Sequence, residues 1–115
     1  MTIQKFEDII AWQKAQDQAV LIYQYFSDLR DYAFKNQICS AVVSISNNIA
    51  EGFDRKGDKE LCRFLYIALG SASEVRSMTY LAYRLKYITE MQKDELLGQS
   101  SEISRLIRGF IRSVS

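Results

Sequence analysis

Asn48, Glu51 and Glu74 are the residues of this chain whose types come nearest to a reactive set. Asn48 and Glu51 share the run SNNIAEG, and Glu74 closes the run GSASE. Two carboxylates and an amide, if brought together, could hold a hard cation through oxygen ligands. The other parts of a catalytic centre are missing. There is no histidine, so neither an imidazole base nor the Glu-x-x-His pair of di-iron bundles can be assembled. No glycine-rich phosphate loop is present. Cys39 and Cys62 are too widely spaced for a Cys-x-x-Cys ligand pair and read as small core residues of a reducing compartment. The polar cluster therefore reads as architecture, with no metal or other cofactor expected, and an enzyme built on it is the most distant of the functional readings.

The elements that would position these residues are helical. The sequence has no proline and only five glycines, too few turn formers for a many-stranded fold. At about 100° per residue, Trp12, Ala15, Ala19, Ile22 and Phe26 share one face of a first helix over about 8–27. Ile38, Val42, Ile45 and Ile49 stripe a second over about 33–52. Leu61, Leu65, Ala68, Ala72, Val75, Thr79 and Ala82 stripe a third that starts at a cap on Asp58 and runs toward Tyr87. Leu96, Ile103, Ile107, Phe110 and Val114 define a fourth. Short connections make neighbours antiparallel, so the expected fold is all-α: an antiparallel up-down-up-down four-helix bundle, one domain over 1–115.

The second and third helices are apolar over most of their circumference. Beside its stripe the second carries Ala41, Ser44 and Asn48 on one flank and Cys39, Val43 and Ala50 on the other, leaving Ser40, Asn47 and Glu51 for water. The third adds Tyr66, Ser73, Tyr80 and Tyr87 at seven-residue spacing outside its stripe. Helices with so little polar surface need cover, and interface cores are rich in aromatics and poor in charge. This predicts a homo-oligomer with Tyr66, Ser73, Tyr80 and Tyr87 in its contacts.

Within that frame Asn48 lies on the buried side of the second helix, where an unpaired amide would cost about 1–3 kcal/mol. Its expected partner is the third helix at Gly70, Ser71 and Ser73, small enough for two backbones to approach. Glu51 and Glu74 would cap or pair with nearby arginines, and Gly52 would end the second helix in the left-handed conformation. Asn48, Glu51, Gly52, Gly70, Ser71 and Glu74 are thus expected to lock the two helices together.

Fifteen basic and fourteen acidic residues give a formal charge of +1, which advertises no polyanion partner for the chain as a whole. The charges are unevenly placed, net −3 over residues 1–54 and net +4 over 55–115. Any contact with nucleic acid is therefore expected on the later half, where Arg105, Arg108 and Arg112 project opposite the stripe of the fourth helix. A solvated helix face is the plainer reading of such a run. With no leader pattern and no apolar run of about 18 residues, a cytoplasmic protein without membrane contact or small-molecule substrate is expected.

Three segments, FEDIIAWQKA, QICSAVVSISNNIAEGFDR and FLYIALGSASEVRSMTYLAYRLKYI, resemble the four-helix-bundle family of 23S rRNA intervening-sequence proteins, in the right order over about 5–90. The Asn-Ile-Ala-Glu-Gly and Gly-Ser-Ala-x-Glu blocks make the likeness specific, while the last 25 residues match only in helical character. The resemblance implies a bacterial origin and, through a related branch, the accessory protein of diversity-generating retroelements, a basic homopentamer that binds a reverse transcriptase and nucleic acid. This chain departs from that branch in its near-neutral charge, which weakens the counterion-release term in nucleic-acid binding. A ring of copies would concentrate Arg105, Arg108 and Arg112 again. The first expectation is a non-enzymatic oligomeric assembly or adaptor, associated with RNA. The alternative is a protein-binding accessory subunit, for example of a reverse transcriptase, with little nucleic-acid affinity of its own.

Overall fold

The structure, a computed structural model, describes residues 3–115. A single 3-10 turn, Phe6–Asp8, leads into α1 (Ile10–Tyr25), α2 (Tyr32–Asp54), α3 (Asp58–Arg84) and α4 (Glu90–Val114). Each of α1 and α3 packs against both α2 and α4, and the two diagonal pairs do not meet. That is the expected antiparallel four-helix bundle. Its long axis of 43 Å matches the reach of α3, about 40 Å at 1.5 Å per residue.

Local chemistry sets the helix ends. Asp31 Oδ1 accepts from the Phe34 N–H at 3.2 Å and starts α2. Thr89 and Gln92 close a reciprocal capping box at the start of α4. Between α2 and α3 the turn differs from expectation. Gly52 does not end α2, which continues to Asp54; the left-handed residue is Gly57, φ 94°, which precedes α3 without a side-chain cap. Asp58 is thus the first residue of the helix rather than its cap. At the other end of α3, Lys86 turns the chain at φ 64°.

The core stripes follow the sequence periodicity in α2, α3 and most of α4, with Ile38, Ile45, Ile49, Leu65, Val75, Leu96, Ile103 and Ile107 fully buried; at the end of α4 the buried residue is Ile111, and the expected Phe110 and Val114 are only partly buried. Burying each such side chain stabilises the fold by about 1.5–3 kcal/mol. In α1 the stripe is rotated: Ala11, Ala15, Gln18 and Ile22 point inward, while Trp12 lies half-buried with its ring edge-on to Phe6 at 5.4 Å. Gln18 is 0% exposed. Its Nε2 donates to the Leu96 carbonyl at 3.2 Å and to Ser100 Oγ at 3.0 Å, tying α1 to α4, and its Oε1 has no protein partner.

Among the described residues no helix is long and apolar enough to cross a membrane.

Candidate nucleic-acid interface

On α4, Arg105, Arg108 and Arg112 are spaced three and four apart and are all exposed, because the 3.6-residue period turns them away from the buried stripe of Ile103, Ile107 and Ile111, with Arg108 and Arg112 on its flank. Across from them α3 presents Tyr66. The two helices form a cleft of about 200 Å³ lined by Tyr66, Leu69, Arg108, Ile111 and Arg112. Farther along α3, Ser73, Arg76, Ser77 and Tyr80 line a second hollow of about 340 Å³. Neither hollow has a carboxylate in its wall.

The arginines of this face differ from those at the α2–α3 turn. There, Arg63 Nε holds Glu60 at 2.8 Å and Arg55 holds Glu51 at 3.1 Å, and both guanidinium groups lie over the Phe64 ring at 4.8 and 5.1 Å. The Arg63 bond holds the Glu60 carboxyl below its usual range and raises the guanidinium. Among the described residues no carboxylate lies within ion-pair distance of Arg76, Arg105, Arg108 or Arg112. Their charge is therefore free for an outside anion.

The residues expected in copy-to-copy contacts separate. Tyr66, Ser73 and Tyr80 lie exposed on this face. Tyr87 is engaged within the chain: its hydroxyl donates to Asp31 Oδ2 at 2.7 Å and its ring meets Phe34 edge-on at 5.3 Å. That bond raises the Tyr87 hydroxyl and, with the Phe34 N–H, lowers the Asp31 carboxyl. A different apolar set at the same helix, Ile67, Leu81 and Leu85, also lies exposed and lines neither hollow.

The residues expected to lock α2 to α3 are connected differently from that expectation. Asn48 Nδ2 donates within its own helix, to the Ser44 carbonyl at 2.8 Å and Ser44 Oγ at 2.9 Å, and Ser44 Oγ meets Ser71 Oγ at 2.9 Å. Asn48 thus reaches α3 through Ser44. Glu74 Oε2 accepts from Gln37 at 3.2 Å, and no hydrogen bond joins Asn48, Glu51 and Glu74 to one another. The close approach occurs at Gly52, where a Cβ would fall 2.5 Å from Phe64 Cβ, whereas a Cβ at Gly70 would meet nothing within 4 Å. Among the described residues no group of acidic or sulfur side chains could hold a metal ion.

Two features lay outside the sequence reading. One is the place of Arg76, which the sequence offers as a partner for Glu51 or Glu74 and which instead lines the hollow with Tyr80, one helical turn on. The other is an open groove of about 640 Å³ between α1 and α2, lined by Ala19, Val20, Tyr23, Val43 and Asn47 among others, with Gln16 Nε2 donating to Ser46 Oγ at 3.0 Å within it.

Comparison with known proteins bears on this arrangement in two ways. The model of the 23S rRNA-intervening sequence protein family matches residues 7–109. The fold is similar to a crystal structure of a protein of unknown function from the S23 ribosomal protein family of Bacteroides thetaiotaomicron, with 27% identity, 89% of this chain and 98% of that chain covered, and a TM-score of 0.83. Comparison with curated proteins gives no match. The sequence blocks around Asn48 and Glu74, the four antiparallel helices and a family match spanning nearly the whole chain agree: the chain belongs to the family of 23S rRNA-intervening sequence proteins.

Proposed function

We propose that this chain is a non-enzymatic bundle that associates with RNA through the α3/α4 face and works as a homo-oligomer, a pentamer by its resemblance to the retroelement accessory branch. The observation that carries the reading is the pair of unpaired arginines Arg108 and Arg112 beside the exposed ring of Tyr66, with the unpaired and exposed Arg105 on the same helix. Phosphates release counterions in proportion to the cations they meet, and aromatic rings next to such cations serve as stacking platforms. Self-association would cover Ile67, Leu81 and Leu85 of α3, leaving the arginine side open. Each added copy would repeat the basic face.

The test is a titration of the full chain with an RNA strand across a salt series. Three phosphate contacts give a slope of log K against log salt near −2, at about −0.7 per contact on a single strand. Replacing Arg105, Arg108 and Arg112 together with glutamine should remove most of that slope. An unchanged slope, or no binding by the native chain, overturns the reading. Light scattering on the same sample reads the assembly, and a mass of one chain at all concentrations would remove the oligomer.

The groove between α1 and α2 favours a second reading, a protein-binding accessory subunit. No charged side chain lines it, which suits a protein segment better than a phosphate chain. Recovery of a protein partner that survives nuclease and is lost in Val20→Asp would support that reading, while loss on nuclease treatment would count against it.

A further inference from the structure

The tyrosines of the bundle differ in what engages them. Tyr25 donates to Glu95, Tyr83 lies under the Lys93 ammonium at 4.5 Å, and Tyr87 is held by Asp31 and Phe34. Tyr66 is 61% exposed, and among the described residues no hydrogen bond, ring or cation engages it. Its ring stands in a cleft with an aliphatic wall, Leu69 and Ile111, and two guanidinium groups, Arg108 and Arg112. A water-exposed aromatic face beside an apolar wall is suited to a flat ring, and two unpaired cations beside it are suited to the phosphates that flank such a ring.

The size of the cleft narrows the ligand further. At about 200 Å³ it lies below the roughly 300 Å³ at which enclosures for drug-sized ligands begin, so the cleft itself has room for one planar ring system. A base within a duplex cannot present its face, and the grooves of A-form RNA are met through phosphates and 2′-hydroxyls. We propose that the cleft formed by Tyr66, Arg108 and Arg112 takes one unpaired base of single-stranded RNA, stacked on Tyr66, with its flanking phosphates on the two arginines. Tyr80 and Arg76 repeat the pairing of a ring with an unpaired cation on the same helix, about 21 Å away at the helical rise, and give the strand a second hold along α3.

This inference rests on the RNA reading above and is sharper than it. The test compares a mixed-sequence RNA strand with the same strand annealed to its complement, titrated against the full native chain, Tyr66→Ala, Tyr66→Phe and Arg108→Gln/Arg112→Gln. The strand should bind more tightly than the duplex. Tyr66→Ala should weaken the strand about tenfold, within the range of losses for one stacked base, and leave the duplex unchanged. Tyr66→Phe, which keeps the ring, should retain affinity. The arginine pair should weaken both probes and lower the salt slope. If the native chain binds the strand and Tyr66→Ala does not alter it, the stacking site is overturned and the RNA reading stands. If the native chain binds neither probe, both fall. If Tyr66→Ala weakens both probes equally and lowers the mass read by light scattering, Tyr66 belongs to a contact between copies and the site is overturned.

Discussion

Along α2 the flanking residues Cys39 and Ala41 are 8% and 5% exposed, whereas along α3 Leu81 and Leu85 are 46% and 45% exposed. Both helices carry apolar residues far around their circumference, and their sequences alone treat them as equals. The difference lies in neighbours and in side-chain size. Besides α1 and α3, α2 is covered by the 3-10 turn that precedes α1, while α3 meets only α2 and α4. The flanks of α2 are also small, with Cys39, Ala41, Ser44 and Gly52 allowing adjacent backbones to close in. Tyr66, Ile67, Tyr80, Leu81 and Leu85 are large and stay exposed. A nearly all-apolar helix therefore needs cover only where its extra residues lie beyond its own neighbours. Here such residues are most numerous along α3, which is where copies are expected to meet.

The contrast is broken most strongly by equal truncations on the two helices. Ile49→Ala in α2 opens a cavity in the core and should cost about 2–5 kcal/mol. Leu81→Ala in α3 should move the dilute-limit stability by less than about 0.5 kcal/mol, as exposed substitutions do, while shifting any assembly. Urea unfolding followed by circular dichroism over a range of chain concentrations measures both. Similar losses in the two variants at the dilute limit would mean that α3 is covered within a single chain.

The glycines sharpen the comparison at smaller amplitude. Gly52→Ala drives a methyl into Phe64 and should destabilise by about 1–3 kcal/mol, the usual cost of overpacking. Gly70→Ala meets open space and should stabilise by about 0.5–1 kcal/mol, because alanine restricts the unfolded chain and favours the helix. Urea midpoints of the two variants should move in opposite directions.

The smallest effect lies at the end where α3 meets the start of α2. The Tyr87–Asp31 bond lowers the carboxyl from its ordinary 3.8 and raises the phenol from its ordinary 10.0. The carboxylate's contribution is therefore full above about pH 3.8 and is lost as pH falls through its lower folded value. The phenol's contribution is full below about pH 10 and is lost as pH rises through its higher folded value. Thermal unfolding across pH should show both edges weakened in Tyr87→Phe and in Asp31→Asn.

Much of the fold was legible because it depends on periodicity: the stripes through Ile45, Leu65 and Ile107 predict a bundle wherever they are read. The turn between α2 and α3 falls at Gly57 rather than at Gly52 because two glycines lie five residues apart and the sequence does not say which one turns. Gly57 adopts the left-handed conformation, and Gly52 is needed for contact with Phe64. Gln18 was legible in retrospect, since it stands three residues after Ala15 and four before Ile22, in the middle of an apolar stripe. At the basic face, the α4 arginines were readable from spacing on one helix. The meeting of Arg108 and Arg112 with Tyr66 depends on how α3 and α4 are set side by side, which no single helix encodes.

The most direct test of the central claim, that the α3/α4 side and not the α1/α2 side meets RNA, is hydroxyl-radical footprinting of the full chain with and without a bound RNA strand. The account predicts protection of Tyr66 and Tyr80 with Tyr23 and Tyr32 unchanged. Protection of Tyr23 and Tyr32 while Tyr66 and Tyr80 stay reactive would contradict it.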